Sequence, residues 1–158
     1  MKLEFCKLSE EHLELVRKWR MDPEVSKHMY TDPRITHEQQ RSWYEKIKKD
    51  PTRRYWIIRV DNEFVGVVNL YNIDAINKRC SWAYYLGETS VRGKGVGKQI
   101  ELNLLSYVFD DLKLNKLCCE VLAFNELVVK IHKKYGSKIE GRLRKQICKN
   151  GEFHDVII

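Results

Sequence analysis

No run of about 18 apolar residues occurs in this chain, and no basic segment followed by an apolar core opens it. Membrane insertion and export are therefore not expected, and a soluble, cytoplasmic protein is. Cysteine is sparse: Cys6, Cys80, Cys118, Cys119 and Cys148 are odd in number and form no C-x-x-C pair. That excludes a disulfide framework or a zinc centre as the organising feature, so no metal site is expected. Small, mostly buried thiols are expected instead. Repeats, linkers and low-complexity segments are also missing, and 158 residues suit one domain with its own core.

Charge is plentiful and unbalanced, at a formal +7. A positive surplus favours anionic partners. Nucleic acid is not expected, because the basic residues are dispersed among acidic ones and no nucleic-acid motif appears. Small phosphate-rich ligands such as coenzyme A or a nucleotide-sugar gain equally from the surplus, whereas a polycationic substrate such as a polyamine is repelled.

Glycine is concentrated in one place. An apolar strand over Ser81–Leu86 is followed by a turn and then by Arg92-Gly-Lys-Gly-Val-Gly-Lys98, which runs into a helix. In that helix Ile100, Leu104, Tyr107 and Val108 recur at helical spacing, while Lys98, Glu101 and Asn103 are expected to face elsewhere. Three glycines in five residues bare the N–H groups of a helix start, with cations around them, and such a site suits a phosphate or pyrophosphate. A flexible turn on a basic surface is the plainer alternative. The P-loop pattern fails because Gln99 follows Gly97-Lys98, and the dinucleotide pattern fails because the spacing is Gly-x-Gly-x-Gly.

Around this centre the chain reads as a series of elements. Leu3 to Leu8 alternates as a strand, and Leu13, Val16 and Trp19 mark a helix that Ser9 caps and Asp22-Pro23 breaks. Met29 and Tyr30 are apolar residues beside a turn, either packed in the core or walling a ligand. Thr36 to Gln39 is a capping box opening a helix through Lys49, with Trp43, Tyr44 and Ile47 as its stripe. A hairpin over Tyr55–Val60 and Phe64–Leu70 follows. Lys116–Leu122 reads as one buried strand carrying Glu120, which is either ion-paired structure or part of a site. Asn125 is expected to cap a helix that ends at Gly136, with His132 on the same face. Such a histidine is either packed or chemical. Lys149-Asn150-Gly151 signals a terminal hairpin.

The run from Arg92 to Gly97 resembles the Arg/Gln-x-x-Gly-x-Gly/Ala signature of the GCN5-related N-acetyltransferases, whose loop binds the pyrophosphate of coenzyme A. Asn125, Ile131-His132, Lys134 and Gly136 resemble that family's second motif, in which the asparagine contacts the cofactor. The resemblance spans essentially the whole chain. It implies an α/β fold with a mixed, mostly antiparallel twisted sheet flanked by helices and splayed in a V between its fourth and fifth strands. It also implies acetyl-CoA as cofactor, held by Tyr84, Tyr85 and Leu86, by Arg92, Gly93, Lys94, Gly95, Val96, Gly97 and Lys98, and by Asn125. Within the family, Trp19-Arg20-x-x-Pro23, Met29-Tyr30, Arg54-Tyr55, Glu120-Val121, Glu140-Gly-Arg-Leu143 and Gly151-Glu-Phe-x-Asp155-Val156 are similar to enzymes of pseudaminic-acid biosynthesis. Those N-acetylate a UDP-linked 4-amino-4,6-dideoxy sugar. This implies a small-molecule acceptor against Met29, Tyr30 and Trp43, with Asn69 as a polar contact, Glu120 as base, and neither membrane nor nucleic acid as partner. A homodimer is the assembly the resemblance allows. Many family members carry tyrosine, the usual proton donor to the departing thiolate, where His132 stands; His132 either takes over that role or leaves it to water. A ribosomal-protein or other small-amine acetyltransferase and a non-catalytic acyl-CoA binder are the rival readings.

Overall fold

A computed structural model describes residues 1–158. Strand β1 (Leu3–Lys7) pairs antiparallel with β2 (Arg54–Val60), and β2 turns tightly into β3 (Glu63–Asp74). Asp61 and Asn62 take φ of 46° and 73°, the left-handed pair that a two-residue hairpin matched to strand twist requires. Antiparallel β4 (Arg79–Leu86) and parallel β5 (Lys116–Cys118) complete a sheet ordered β1-β2-β3-β4-β5.

Helices cover both faces of this sheet. Helix α1 (Leu13–Met21), the one-turn α2 (Pro23–Ser26) and α3 (His37–Lys49) lie on one side, where Val16, Trp19 and Tyr44 pack on Ile57 and Val67. On the other side α4 (Val96–Ser106) sets Val96, Ile100 and Leu104 against Ile58, Val68, Leu70 and Trp82. Each such side chain contributes about 1.5–3 kcal/mol by leaving water, which is what holds a glycine-started helix in place. The capping box at Thr36 forms as expected, with reciprocal bonds to Gln39 of 3.1 and 2.9 Å. At Ser9 the reciprocal partner is the buried His12.

The expected strand over residues 116–122 is two strands in two sheets. After Cys118 the chain leaves β4, and β6 (Val121–Leu122) pairs instead with Ile157 and Val156 of β8 (Glu152–Ile157). Strand β8 also pairs with β7 (Arg142–Lys149), giving a second sheet ordered β6-β8-β7. Cys119 and Glu120 bridge the two sheets, so Glu120 is exposed rather than buried in a strand. Helix α5 (Glu126–Lys134) starts at Asn125, but the asparagine side chain makes no capping bond. The helix ends as expected, with Gly136 at φ 99° and the Ser137 N–H donating to the His132 carbonyl at 3.0 Å.

Two further expectations fail. Glu101 does not face outward; it is 1% exposed, because α5 covers the side of α4 that the apolar pattern leaves polar. Of the five free cysteines only Cys80 is buried, and Cys148 is exposed. No helix is long and apolar enough to cross a membrane.

Candidate active site

Strands β4 and β5 stay paired for three residues, Arg79, Cys80 and Ser81 against Lys116, Leu117 and Cys118. Beyond Ser81 the edge of β4 turned away from β3 has no strand beside it, and the two strands splay apart as expected. Backbone N–H and C=O groups left open along Trp82–Leu86 need another partner, and an extended chain laid in the gap supplies one.

At the end of this edge the glycine loop takes the conformation its residues allow. Gly93 and Gly95 have φ of 75° and 81°, and a Cβ added at either would meet nothing within 4 Å. The left-handed turns are thus needed for the direction of the chain, not to avoid a neighbour. Gly95 is the N-cap of α4, so the first N–H groups of that helix point out of the loop with the helix dipole behind them. Lys94 and Lys98 are exposed beside them. Arg92 is committed elsewhere: its guanidinium donates to the carbonyls of Leu86 and Glu24, each at 3.1 Å, and pins the loop between β4 and α2. Gly97 lies against Tyr84, whose hydroxyl would be 3.2 Å from a Cβ there.

On the opposite face of the sheet, Tyr55, Asn69 and Ala83 stand in register, followed by Tyr71 and Ser81. Trp43 of α3 meets Tyr55 edge to face at 5.2 Å. Tyr30 arrives from the segment after α2 and donates its hydroxyl to Glu120 Oε2 at 2.6 Å. Burial first, and then the Glu120 carboxylate, push the Tyr30 phenol well above its ordinary range, so it stays a donor. Tyr71 is pushed to about 12 by burial and by the same carboxylate. Arg20 reaches the sulfur of Met29. The Tyr85 hydroxyl is buried on this face with no partner in the chain. Met29, Tyr30, Asn69 and Glu120 are therefore brought to one side of the splay, with Trp43 at its margin.

Beside this group lies an open cavity of about 690 Å³, walled by Lys27, Asp32, Arg34, Phe124, Lys149 and His154 among others. The Lys149 ammonium is buried beneath it, donating to the carbonyls of Ser26 and Met29 at 2.5 and 2.8 Å and lying 3.4 Å from Asp32. Asn150 also holds Asp32. The imidazole of His28 is depressed by burial and then by Lys27, Arg92 and Lys149, so several cations converge here. Phe124 lies between His28 and His154, tilted to the first at 6.3 Å and edge-on to the second at 5.2 Å.

On the α4 side of the splay His132 Nδ1 sits 2.5 Å from Glu101 Oε1, both atoms buried, in an ion-pair contact rather than an aligned hydrogen bond.

Residues 2–138 match the acetyltransferase (GNAT) domain family. The chain belongs to the GNAT acetyltransferases. As a GNAT enzyme it is an N-acetyltransferase that uses acetyl-CoA. It is 28% identical over 128 residues to acetyltransferase PseH of Campylobacter jejuni (serotype O:23/36, strain 81-176), covering 81% of this chain and 78% of that one. It is 25% identical over 150 residues to the spermidine N(1)-acetyltransferase of Escherichia coli K12, covering 95% and 80%. In fold it matches the Vibrio cholerae spermidine N-acetyltransferase solved with CoA and spermine, at a TM-score of 0.92 and 21% identity over 98% of this chain and 92% of that one.

The GNAT cofactor fits what is here. The open space over Gly93 and Gly95, the uncapped start of α4 and the unpaired edge of β4 form a continuous backbone-lined track. The residues that sequence reasoning missed are Glu101, Tyr71 and Lys149. Glu101 lies three positions before Leu104 and seven before Val108, at the edge of the apolar stripe, so the helical spacing itself was the signal. Lys149 had a signal, since it flanks a tight turn, but its partners lie 123 and 120 positions away.

Proposed function

We propose that this GNAT enzyme acetylates the amine of a nucleotide-linked amino-deoxy sugar, of the UDP-4-amino-4,6-dideoxy type, within one domain and in a ternary complex. The observation that carries this reading is the cavity over Lys149, whose ammonium also holds the Met29 carbonyl just before Tyr30. Its lining carries Lys27, Arg34 and Lys149 against Asp32 and Glu152; Asp32 is held by Lys149 and Asn150 and Lys27 by Glu24 at 2.7 Å, so Arg34 is the cation without an ion-pair partner. A diphosphate gains from that surface and a polyamine is repelled by it. Exposed Phe124 offers a flat face for a base. Similarity to PseH supports the same reading, and similarity to spermidine acetyltransferases supports the polyamine as the second one.

When bound, acetyl-CoA supplies an acetyl group activated as a thioester. The chain's own residues do the rest. Amides at Gly95 to Lys98 and the lysines around them hold phosphate charge, and the free edge from Tyr84 to Leu86 orients the extended arm. Met29, Tyr30, Trp43 and Asn69 position the acceptor. Glu120, fixed by Tyr30, takes the amine proton, since only the neutral amine attacks. Mass spectrometry of products formed with acetyl-CoA and a panel of UDP-amino-sugars, spermidine and short peptides tests this. One acetyl group on a UDP-amino-sugar is expected; acetylspermidine or an acetylated peptide as the sole product refutes it.

A further inference from the structure

Glu101 and His132 form a buried pair that the acceptor chemistry leaves unused. The side chains are 2% and 8% exposed, and the ring of His132 meets Trp82 edge-on at 5.2 Å. Trp82 stacks on Tyr84, which touches Gly97 of the loop. Cys119 stands alongside, where β5 gives way to β6. The pair thus occupies the floor of the splay, between the glycine loop and the break. Burying a carboxylate is costly, and apolar residues of the same volume would fill the space without that cost, so packing does not account for it.

We propose that Glu101 is a positioning residue that pairs with Nδ1 of His132 and so leaves Nε2, on the side of the Cys119 thiol, as the nitrogen that donates a proton into the splay. This rests on acetyl transfer from coenzyme A, not on the sugar reading. As the C–S bond breaks and the C–N bond forms, Nε2 gives its proton to the sulfur that takes the electron pair. Glu120 receives the amine proton, and solvent returns both groups to their starting states. The groups facing His132 are Glu101 from α4, Cys119 from the link between the sheets, uncharged Trp82 from β4, and Lys133 and Lys138 around a small cavity of about 30 Å³. Burial alone pulls its imidazole down; the Cys119 thiol and the Glu101 carboxylate override that and raise it to about 9. Glu101 brings a carboxylate to the ring and Cys119 a thiol.

The test is an NMR titration of the His132 ring in protein without ligand, paired with the pH dependence of kcat for any accepted amine. Wild type is expected to hold the proton well above neutrality, and kcat to decline on the alkaline side with it. In Glu101→Gln the ring should be neutral at pH 7 and kcat there lower by roughly 10–100-fold, with KM for acetyl-CoA unchanged. His132→Tyr should recover turnover and move the alkaline decline upward. An imidazole already neutral at pH 7 in wild type, or a Glu101→Gln profile superimposable on it, overturns the proposal. If Glu101→Gln does not fold, the wild-type titration and His132→Tyr decide alone.

Discussion

On the donor side of the splay the groups that line the cofactor track fall within seventeen consecutive positions, Trp82 to Lys98, and nearly all act through the backbone; Glu101 and His132 lie outside that run. On the acceptor side Tyr30 meets Glu120 across 90 positions, Lys149 meets Ser26 across 123, and Asn150 meets Asp32 across 118. The first is a local structure whose shape is set by Gly93 and Gly95. The second exists only when two sheets and the segment after α2 have come together. Cofactor grip is therefore expected to survive changes that dismantle the acceptor side, and the reverse.

The largest separation should come from Glu120→Gln. It should lower kcat by about 10²–10⁴-fold in steady-state assays while leaving KM for acetyl-CoA within error. Equal losses in both would break the division. Next is Gly95→Val. A β-branched residue at φ 81° is strained by about 1–3 kcal/mol, and its side chain covers the loop amides. Calorimetry should show coenzyme A binding weakened on the order of tenfold or more, with nucleotide-sugar affinity kept. Lys149→Met leaves the Ser26 and Met29 carbonyls unpaired, costing about 1–3 kcal/mol, with Tm lower by roughly 2–4 °C for each kcal/mol. Acceptor KM should rise and coenzyme A affinity should hold.

A pH scan adds a smaller effect. His132 binds its proton more tightly folded than unfolded, so its contribution to stability is complete below its ordinary value of 6.5 and is lost as pH rises through about 9. Tm should decline over that window in wild type and less so in Glu101→Gln. The smallest effect is Thr36→Ala, which removes a helix cap outside both regions. It should cost about 1 kcal/mol and leave both binding constants untouched.

The same contrast governs what the sequence disclosed. Elements with local signals were legible: the turns at Asp61-Asn62 and Asn150-Gly151, the Thr36 capping box, the glycine loop and the splay that follows from the family pattern. Residues whose environment is made by distant partners were not. Lys116–Leu122 has the composition of one strand, yet β8 captures its second half, and that competition has no trace in seven residues. Glu101 reads as solvent-facing because α5, which buries it, begins only at Glu126 and meets it through His132. Arg92 reads as a phosphate ligand because the carbonyl at Glu24 that it binds is 68 positions away.

The most direct test of the account is the specificity constant for a UDP-4-amino-4,6-dideoxy sugar and for spermidine, measured on one preparation at one ionic strength. One charge contact that favours the diphosphate, at about 1.4 kcal/mol, predicts a preference of roughly tenfold for the sugar, shrinking when Arg34 is neutralised. Equal constants, or a preference for spermidine that this substitution does not change, would contradict it.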